Sequence, residues 1–376
     1  MKVLFISNDP SIFEENSSAR ARMHGYARMG ELHVLSLAGW GAKKGQEGNL
    51  FLHPVHRIWK YFRVSVLAHR AHRLIRKYGI EVVSAQDPFE HGLAALRAIR
   101  GTNAKLHVQV HTDFLSPWFT KGGSWRNPRA SMLNRYRQKI ADRVLLRADG
   151  IRAVSERVKK SLIQRYGSQI PEPSVIPITV SAEVPACIPL PKHSFTFSLI
   201  AVGRLEPEKR IEDILVAMKS IIRKYPMIGL FIVGEGRERR RLIQIVRMLN
   251  LDGHVIFLGA RSDAWGLMQG AQAFIQASAY EGYGRTLIEA ALARVPIITT
   301  DVGIIGEVFK VREDVLATPV ADSKALSASI VNIIEDTFVR QQLPMHAEAT
   351  ARAHLAAVGD VSVRIAEDLA RTLKHP

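Results

Sequence analysis

The feature that most limits what this chain can fold into is an alternation, run through twice, of short apolar stretches with segments of helical periodicity. In the first half, β-like runs at 3–7, 32–37, 82–84, 106–111 and 150–153 are separated by helix-like segments at 68–78, 91–100 and 128–147. In the last of these, Leu133, Tyr136, Ile140 and Val144 fall at helical spacing. The stretch 170–191 then carries Pro171, Pro173, Pro177, Pro185, Pro189 and Pro191, a linker composition. Beyond it the alternation restarts, with strands at 198–202, 228–233, 254–258, 273–277 and 296–299 and helices at 210–225, 238–249 and 286–293. Strands alternating with helices predict parallel sheets covered on both faces. The 376 residues suffice for two such domains. The expectation is an α/β chain of two Rossmann-like, doubly wound domains, 1–185 and 192–357, facing a central cleft. Ligands then gather at the carboxyl ends of the strands.

Composition removes other classes. With 47% hydrophobic and 23% charged residues the chain is neither disordered nor fibrous. A single cysteine, Cys187, excludes a disulfide scaffold or a cysteine-rich metal site and points to a reducing compartment. Residues 1–9 read as a first strand, not a signal peptide. The longest uncharged stretch, 264–280, contains Gln, Gly and Ser and does not suit a bilayer span. A soluble cytoplasmic protein is expected.

The net charge of +17 is unevenly spread. Up to Leu190 there are 29 Lys and Arg against 14 Asp and Glu, an excess of +15; after it 23 stand against 21, an excess of +2. Two segments concentrate the excess. Residues 51–80 hold Arg57, Lys60, Arg63, Arg70, Arg73, Arg76 and Lys77 with no acid, and residues 121–147 hold eight basic residues with Asp142 alone against them. Such surfaces attract phosphates. Ile58, Trp59, Tyr61, Phe62, Val64, Val66 and Leu67, interleaved in the first segment, suit an amphipathic stretch at the inner face of a membrane. A solvated basic helix face and nucleic-acid contact are the other readings, the last without a supporting motif.

Three constellations carry chemistry. In Val202-Gly203-Arg204-Leu205-Glu206-Pro207-Glu208-Lys209 a strand ends in Gly, and two cations precede a helix, which suits a diphosphate. Val233-Gly234-Glu235-Gly236-Arg237 is again strand, Gly turn and helix, but Arg239 replaces the third glycine of a dinucleotide fingerprint. Tyr280-Glu281-Gly282-Tyr283-Gly284-Arg285-Thr286-Leu287-Ile288-Glu289 sets two carboxylates eight apart, one in a loop and one inside the following helix. Glu281 suits a substrate hydroxyl and Glu289, among apolar neighbours, a ribose diol. The amides near Thr286 and Leu287 suit a phosphate. In the first half, His111 ends a strand and is followed by Asp113, while Gln86 and Asp87 follow another strand.

In their order and separation, the G-R-x4-K turn, the V-G-x-G turn and the E-x7-E element resemble the donor half of the retaining family 4, or group 1, glycosyltransferases, which have the GT-B fold. The resemblance is carried by residues 197–320 and is architectural before them. It implies that Arg204 and Lys209 bind the donor diphosphate and stabilise the departing nucleotide, that Glu281 and His111 contact the donor sugar, and that Gly259-Ala260-Arg261 flank the base. Gly203, Gly234, Gly282, Tyr283 and Gly284 complete the implied donor site. The first loop departs from the family pattern: two adjacent glycines are replaced within Asn16-Ser17-Ser18-Ala19-Arg20, so Ser17, Ser18 and Arg20 become candidate acceptor contacts. Arg210 stands where a glycine is usual. The implied activity is metal-independent hexose transfer, with retention, from a UDP- or GDP-linked sugar to a lipid-linked or cell-envelope glycan, with no cofactor. A non-catalytic sugar-nucleotide binder and an epimerase or phosphorylase relative are the alternatives. The closing helix, 358–376, is expected to pack back on the first domain.

Overall fold

The computed structural model describes residues 1–39, 41–56, 62–121 and 128–375. Arg57, Ile58, Trp59, Lys60, Tyr61 and Arg126 lie outside the described residues. The chain divides into two units, one of Met1–Leu115, Met132–Pro177 and Asp360–Pro376, the other of Ser116–Ser131 and Ile178–Gly359.

The strands of the first unit are β1 (Lys2–Ser7), β2 (Glu31–Ala38), β3 (Gly45–Glu47), β4 (Leu50–His56), β5 (Val82–Ala85), β6 (Lys105–Val110), β7 (Gly150–Ala153) and β8 (Ser174–Val175). They form one sheet in the order β3-β4-β2-β1-β5-β6-β7-β8, parallel except for the β3–β4 pair. The strand order reverses at β1, between β2 and β5. Its long helices are α1 (Ser18–Tyr26), α2 (Arg63–Tyr78) and α3 (Glu90–Ala98). A short turn, α4 (Pro117–Thr120), lies in the second unit, and α5 (Pro128–Leu145) and α6 (Glu156–Tyr166) follow.

In the second unit β9 (Phe197–Val202), β10 (Ile228–Val233), β11 (Val255–Gly259), β12 (Ala273–Ile275), β13 (Ile297–Thr300) and β14 (Leu316–Thr318) form an all-parallel sheet in the order β11-β10-β9-β12-β13-β14. Helices α7 (Ile211–Ile221), α8 (Arg239–Met248), α9 (Ala264–Met268), α10 (Arg285–Leu292), α11 (Ser323–Glu335) and α12 (Thr337–Val358) connect and cover it. Apart from Ser198, β9 and β10 carry no polar side chain because both faces are covered: Leu199, Ile200, Leu230 and Phe231 are all buried. The order reverses between β9 and β12, the place where such sheets bind ligands.

Four local expectations are revised. Residues 51–56, the start of the segment expected at a membrane surface, lie in the inner strand β4, and α2 buries Leu67, Ala68, Ala71 and Ile75 in its own domain. What α2 leaves outward is the basic row Arg63, Arg70, Arg73, Arg76 and Lys77. The apolar row of α5 divides: Ile140 and Val144 are buried, while Leu133 and Tyr136 are exposed. Residues 18–26 are the helix α1, not a loop, with Ser17 as its N-cap. The proline-rich stretch is also less of a linker than its composition suggests. The amide of Ile188 donates to the Gly266 carbonyl (3.1 Å) and Gln269 Nε2 to the Pro185 carbonyl (2.8 Å), so the chain from Ile178 onward is counted with the second unit.

The last helix, α13 (Val361–Lys374), belongs to the first unit and packs on β5, β6, β7 and α1.

Candidate functional site

The turns after β9 and β10 are welded backbone to backbone. Gly203 N donates to the Val233 carbonyl (3.0 Å) and Leu205 N to that of Glu235 (2.9 Å). A Cβ on Gly234 would stand 1.9 Å from the Gly203 carbonyl oxygen, and one on Gly236 would stand 2.3 Å from that of Leu205. The V-G-x-G glycines are therefore needed for the close approach of two turns. That packing holds Arg204 outward, its side chain 77% exposed with Glu208 3.4 Å away, at the carboxyl end of β9.

Lys209, closing the short turn Pro207–Lys209, turns the other way. Its ammonium pairs with Oε1 of Glu281, which also accepts from Ser278 Oγ at 2.8 Å. The amide of Ala279 donates to the Glu208 carbonyl (2.7 Å), tying the loop after β12 to the turn after β9. Gly282 and Tyr283 are buried; Tyr283 reaches His354 Nε2 on α12 at 2.7 Å, and burial raises the pKa of its phenol. Gly284, left-handed at φ 95°, opens α10.

The expected free amides are only partly there: the Leu287 N–H already donates to the Gly284 carbonyl at 2.9 Å, because the helix starts as a tight turn. The Thr286 hydroxyl donates inward to Gln276 Oε1 (3.0 Å). Glu289 is buried, as its apolar neighbours imply, and accepts from Arg285 Nε at 2.7 Å. Burial pushes its carboxyl pKa up against the pull of Arg285. Arg285 was not singled out in the sequence, although its place four residues before Glu289 is a readable helical ion pair. The Gly259 carbonyl accepts from Gly234 N (2.7 Å), Ala260 follows it, and Arg261 is held bidentately by Asp263 (2.8 and 2.6 Å).

In the first unit, His111 directly follows β6 and its Nε2 lies 3.0 Å from Gln109 Oε1. Burial first, then the Arg152 guanidinium, lower its pKa to about 3. Asp113 lies two residues on, half-buried. The other first-unit candidates are engaged internally. Gln86 accepts from Ser7 Oγ (2.7 Å), and Asp87 caps Phe89 N (2.8 Å) and pairs with His91. Ser17 caps α1 and donates to Ser11; Ser18 is the first residue of that helix. Arg20 is buried, donating to the Ile12 carbonyl (2.8 Å) and paired with Glu47, so its side chain is engaged within its own unit. No cluster of His, Cys, Asp or Glu among the described residues could hold a metal ion, and no described helix is long and apolar enough to cross a membrane.

Two doubly wound parallel sheets, one with a cationic strand end facing an E-x7-E helix, define the GT-B class of sugar-transferring folds. The family Glycosyl transferases group 1 matches residues 192–353 and Glycosyltransferase Family 4 matches residues 22–184. The chain belongs to the group 1 glycosyltransferases of the family 4 type. It is 25% identical over 296 residues to a phosphatidyl-myo-inositol mannosyltransferase of Mycolicibacterium smegmatis, covering 75% of this chain and 70% of that one. Among solved structures it resembles sucrose-phosphate synthase from Thermosynechococcus elongatus (TM-score 0.80, 18% identity, 100% and 99% coverage). It also resembles Anabaena Alr3699/HepE in complex with UDP and glucose (TM-score 0.72, 21% identity, all of both chains). The first curated relatives are matched over only 27% to 35% of their own length.

Proposed function

We propose that the protein transfers a hexose, with retention, from a UDP- or GDP-linked donor to a lipid-linked or cell-envelope glycan, without a metal ion. The observation that carries this reading is the pairing of Lys209 with Glu281, in the loop that leads into the helix bearing the buried Glu289, at the reversal point of the second sheet. Arg204 and Lys209 hold the diphosphate, Glu289 the ribose, and Glu281 with His111 the sugar. Gly259, Ala260 and Arg261 border the base. On donor binding Lys209 exchanges Glu281 for phosphate, which frees that carboxylate to accept from a sugar hydroxyl. The two cations and the start of α10 stabilise charge growing on the leaving diphosphate. The leaving phosphate takes the acceptor's proton on the face from which it departs. The basic outward row of α2 attracts an anionic acceptor or the surface that carries it. The mannosyltransferase relative, named for a phosphoinositide, supports a lipid-borne acceptor.

A panel of UDP-, GDP-, ADP- and TDP-hexoses, read by thermal shift and nucleotide release, tests this with Lys209→Ala and Glu289→Gln alongside. One nucleotide class should stabilise the wild type and lose its effect in both variants. Stabilisation by none, or stabilisation unchanged in Lys209→Ala, overturns the donor site.

A further inference from the structure

Strand β6 places His107 and Gln109 at alternate positions on one face, and His111 directly follows its last residue. The register sets Ser84 of β5 beside His107 and Arg152 of β7 beside Gln109. Ser84, His107, Gln109 and Arg152 are all buried. Arg152 donates from each of its three guanidinium nitrogens: Nε to the Ile176 carbonyl (2.9 Å), Nη2 to that of Pro177 (2.7 Å) and Nη1 to Gln109 Oε1 (2.9 Å).

A guanidinium has donors and no acceptor, so this contact decides which way the Gln109 amide faces. Its oxygen meets Arg152, and its Nε2 therefore donates to Ser84 Oγ, 2.9 Å away. Beyond Ser84, the chain continues through His107 Nδ1 (2.8 Å) and from His107 Nε2 to Asp368 of α13 (3.0 Å). The same Gln109 oxygen stands 3.0 Å from His111 Nε2. An amide oxygen only accepts, so that nitrogen carries the hydrogen. In the neutral ring Nδ1 is left with a lone pair.

We propose that Gln109 and Arg152 are positioning residues that hold His111 as its Nε2–H tautomer, so that it meets the transferred sugar through Nδ1 as a hydrogen-bond acceptor and the site demands a hydroxyl there. This rests on the sugar-transfer reading for the role of His111, but the tautomer does not. Burial and Arg152 keep the ring neutral near pH 7, which leaves the tautomer as the only variable the surroundings must set. A deoxy or O-methyl sugar at the contacted position has no hydrogen to give, and a His111 locked in this form discriminates against both.

The test uses the full chain labelled with nitrogen-15 at histidine, the His111 signals being assigned by their loss in His111→Asn. Long-range proton–nitrogen correlations should show the Nε2–H pattern in the wild type. Gln109→Glu, which keeps an accepting oxygen toward both partners, should preserve it. Gln109→Leu should shift it toward Nδ1–H or an average of the two, with kcat falling about tenfold on the best donor while its KM changes little. An Nδ1–H or averaged His111 in the wild type overturns the proposal, even if Gln109→Leu fails to fold. Unchanged tautomer and kcat in a folded Gln109→Leu overturn it too. A wild type that binds no nucleotide sugar defeats the transfer reading while the spectrum still decides the tautomer.

Discussion

At Arg210 the backbone takes φ 46° and ψ 41°, left-handed values that cost an L side chain about 1–2 kcal/mol. This explains why a glycine suits the position and sets what Arg210 must offset. Its Nε and Nη2 grip both carboxylate oxygens of buried Asp213 (2.6 and 2.9 Å), and its guanidinium lies 5.3 Å from the centre of the Trp118 ring. Arg210→Ala keeps the strain and strips Asp213 of its cation, so it should cost about 1–3 kcal/mol in urea unfolding of the second unit. Arg210→Gly relieves the strain and should be the milder change, the reverse of the usual order of Ala and Gly. A residue farther along the chain allows no such choice. Gly234→Ala drives a Cβ to 1.9 Å from the Gly203 carbonyl oxygen, backbone against backbone. It should destabilise by about 4 kcal/mol or more and abolish donor-induced thermal stabilisation. An Ala variant as stable as the wild type would show that the two turns can separate freely.

Elements were legible where their pattern is local. The β-like runs at 228–233 and 150–153 coincide with the observed strands, and the burial of Glu289 follows from Leu287, Ile288, Ala290 and Ala291 around it. Strand β4 was not legible, because its two histidines and Pro54 break the apolar run. It tolerates Pro54 because β3 pairs only with residues 50–52, leaving that edge open farther along. Nor could periodicity show what α13 packs against, since Asp368 and His107 meet across 261 residues of sequence. That pair, closed off from water, makes a prediction for the element. Asp368→Ala leaves His107 Nε2 without its acceptor and should cost about 1–3 kcal/mol. Asp368→Asn, which still offers an oxygen, should cost less. Hydrogen exchange across residues 361–374 should quicken in the Ala variant, and unchanged exchange there would mean that α13 is held by its apolar face alone.

Across the whole molecule the two units should respond to acid in opposite directions. His33, His53 and His111, all in the first unit, have pKa values lowered by burial, His53 to about 4 and His111 to about 3. Glu31 partly opposes the shift at His33, while His33 adds to it at His53. The unfolded chain protonates these residues near pH 6.5 and the folded one does not. Their contribution is therefore complete above that pH and drains as pH falls toward the folded values, each by up to about 1.4 kcal/mol per pH unit. His91 is raised instead, Asp87 outweighing burial, so its contribution is already present throughout this window. Below pH 6.5 the first half also gains positive charge on top of its +15 excess, and self-repulsion adds to the loss. In the second unit burial raises Asp213 and Glu289, whose folded forms take up protons before the unfolded ones do. Their contribution to stability rises as pH falls through those folded values. Glu348, which burial pushes up but Arg294 and Arg352 hold low, loses its own only as pH falls below the ordinary carboxylate range. Hydrogen exchange followed from pH 7 to pH 4.5, corrected for the intrinsic rate, should therefore show β2, β4 and β6 opening while β9 and β10 stay protected. Simultaneous opening of both sheets, or earlier opening of the second, would mean that these histidines titrate in the folded state as they do in water.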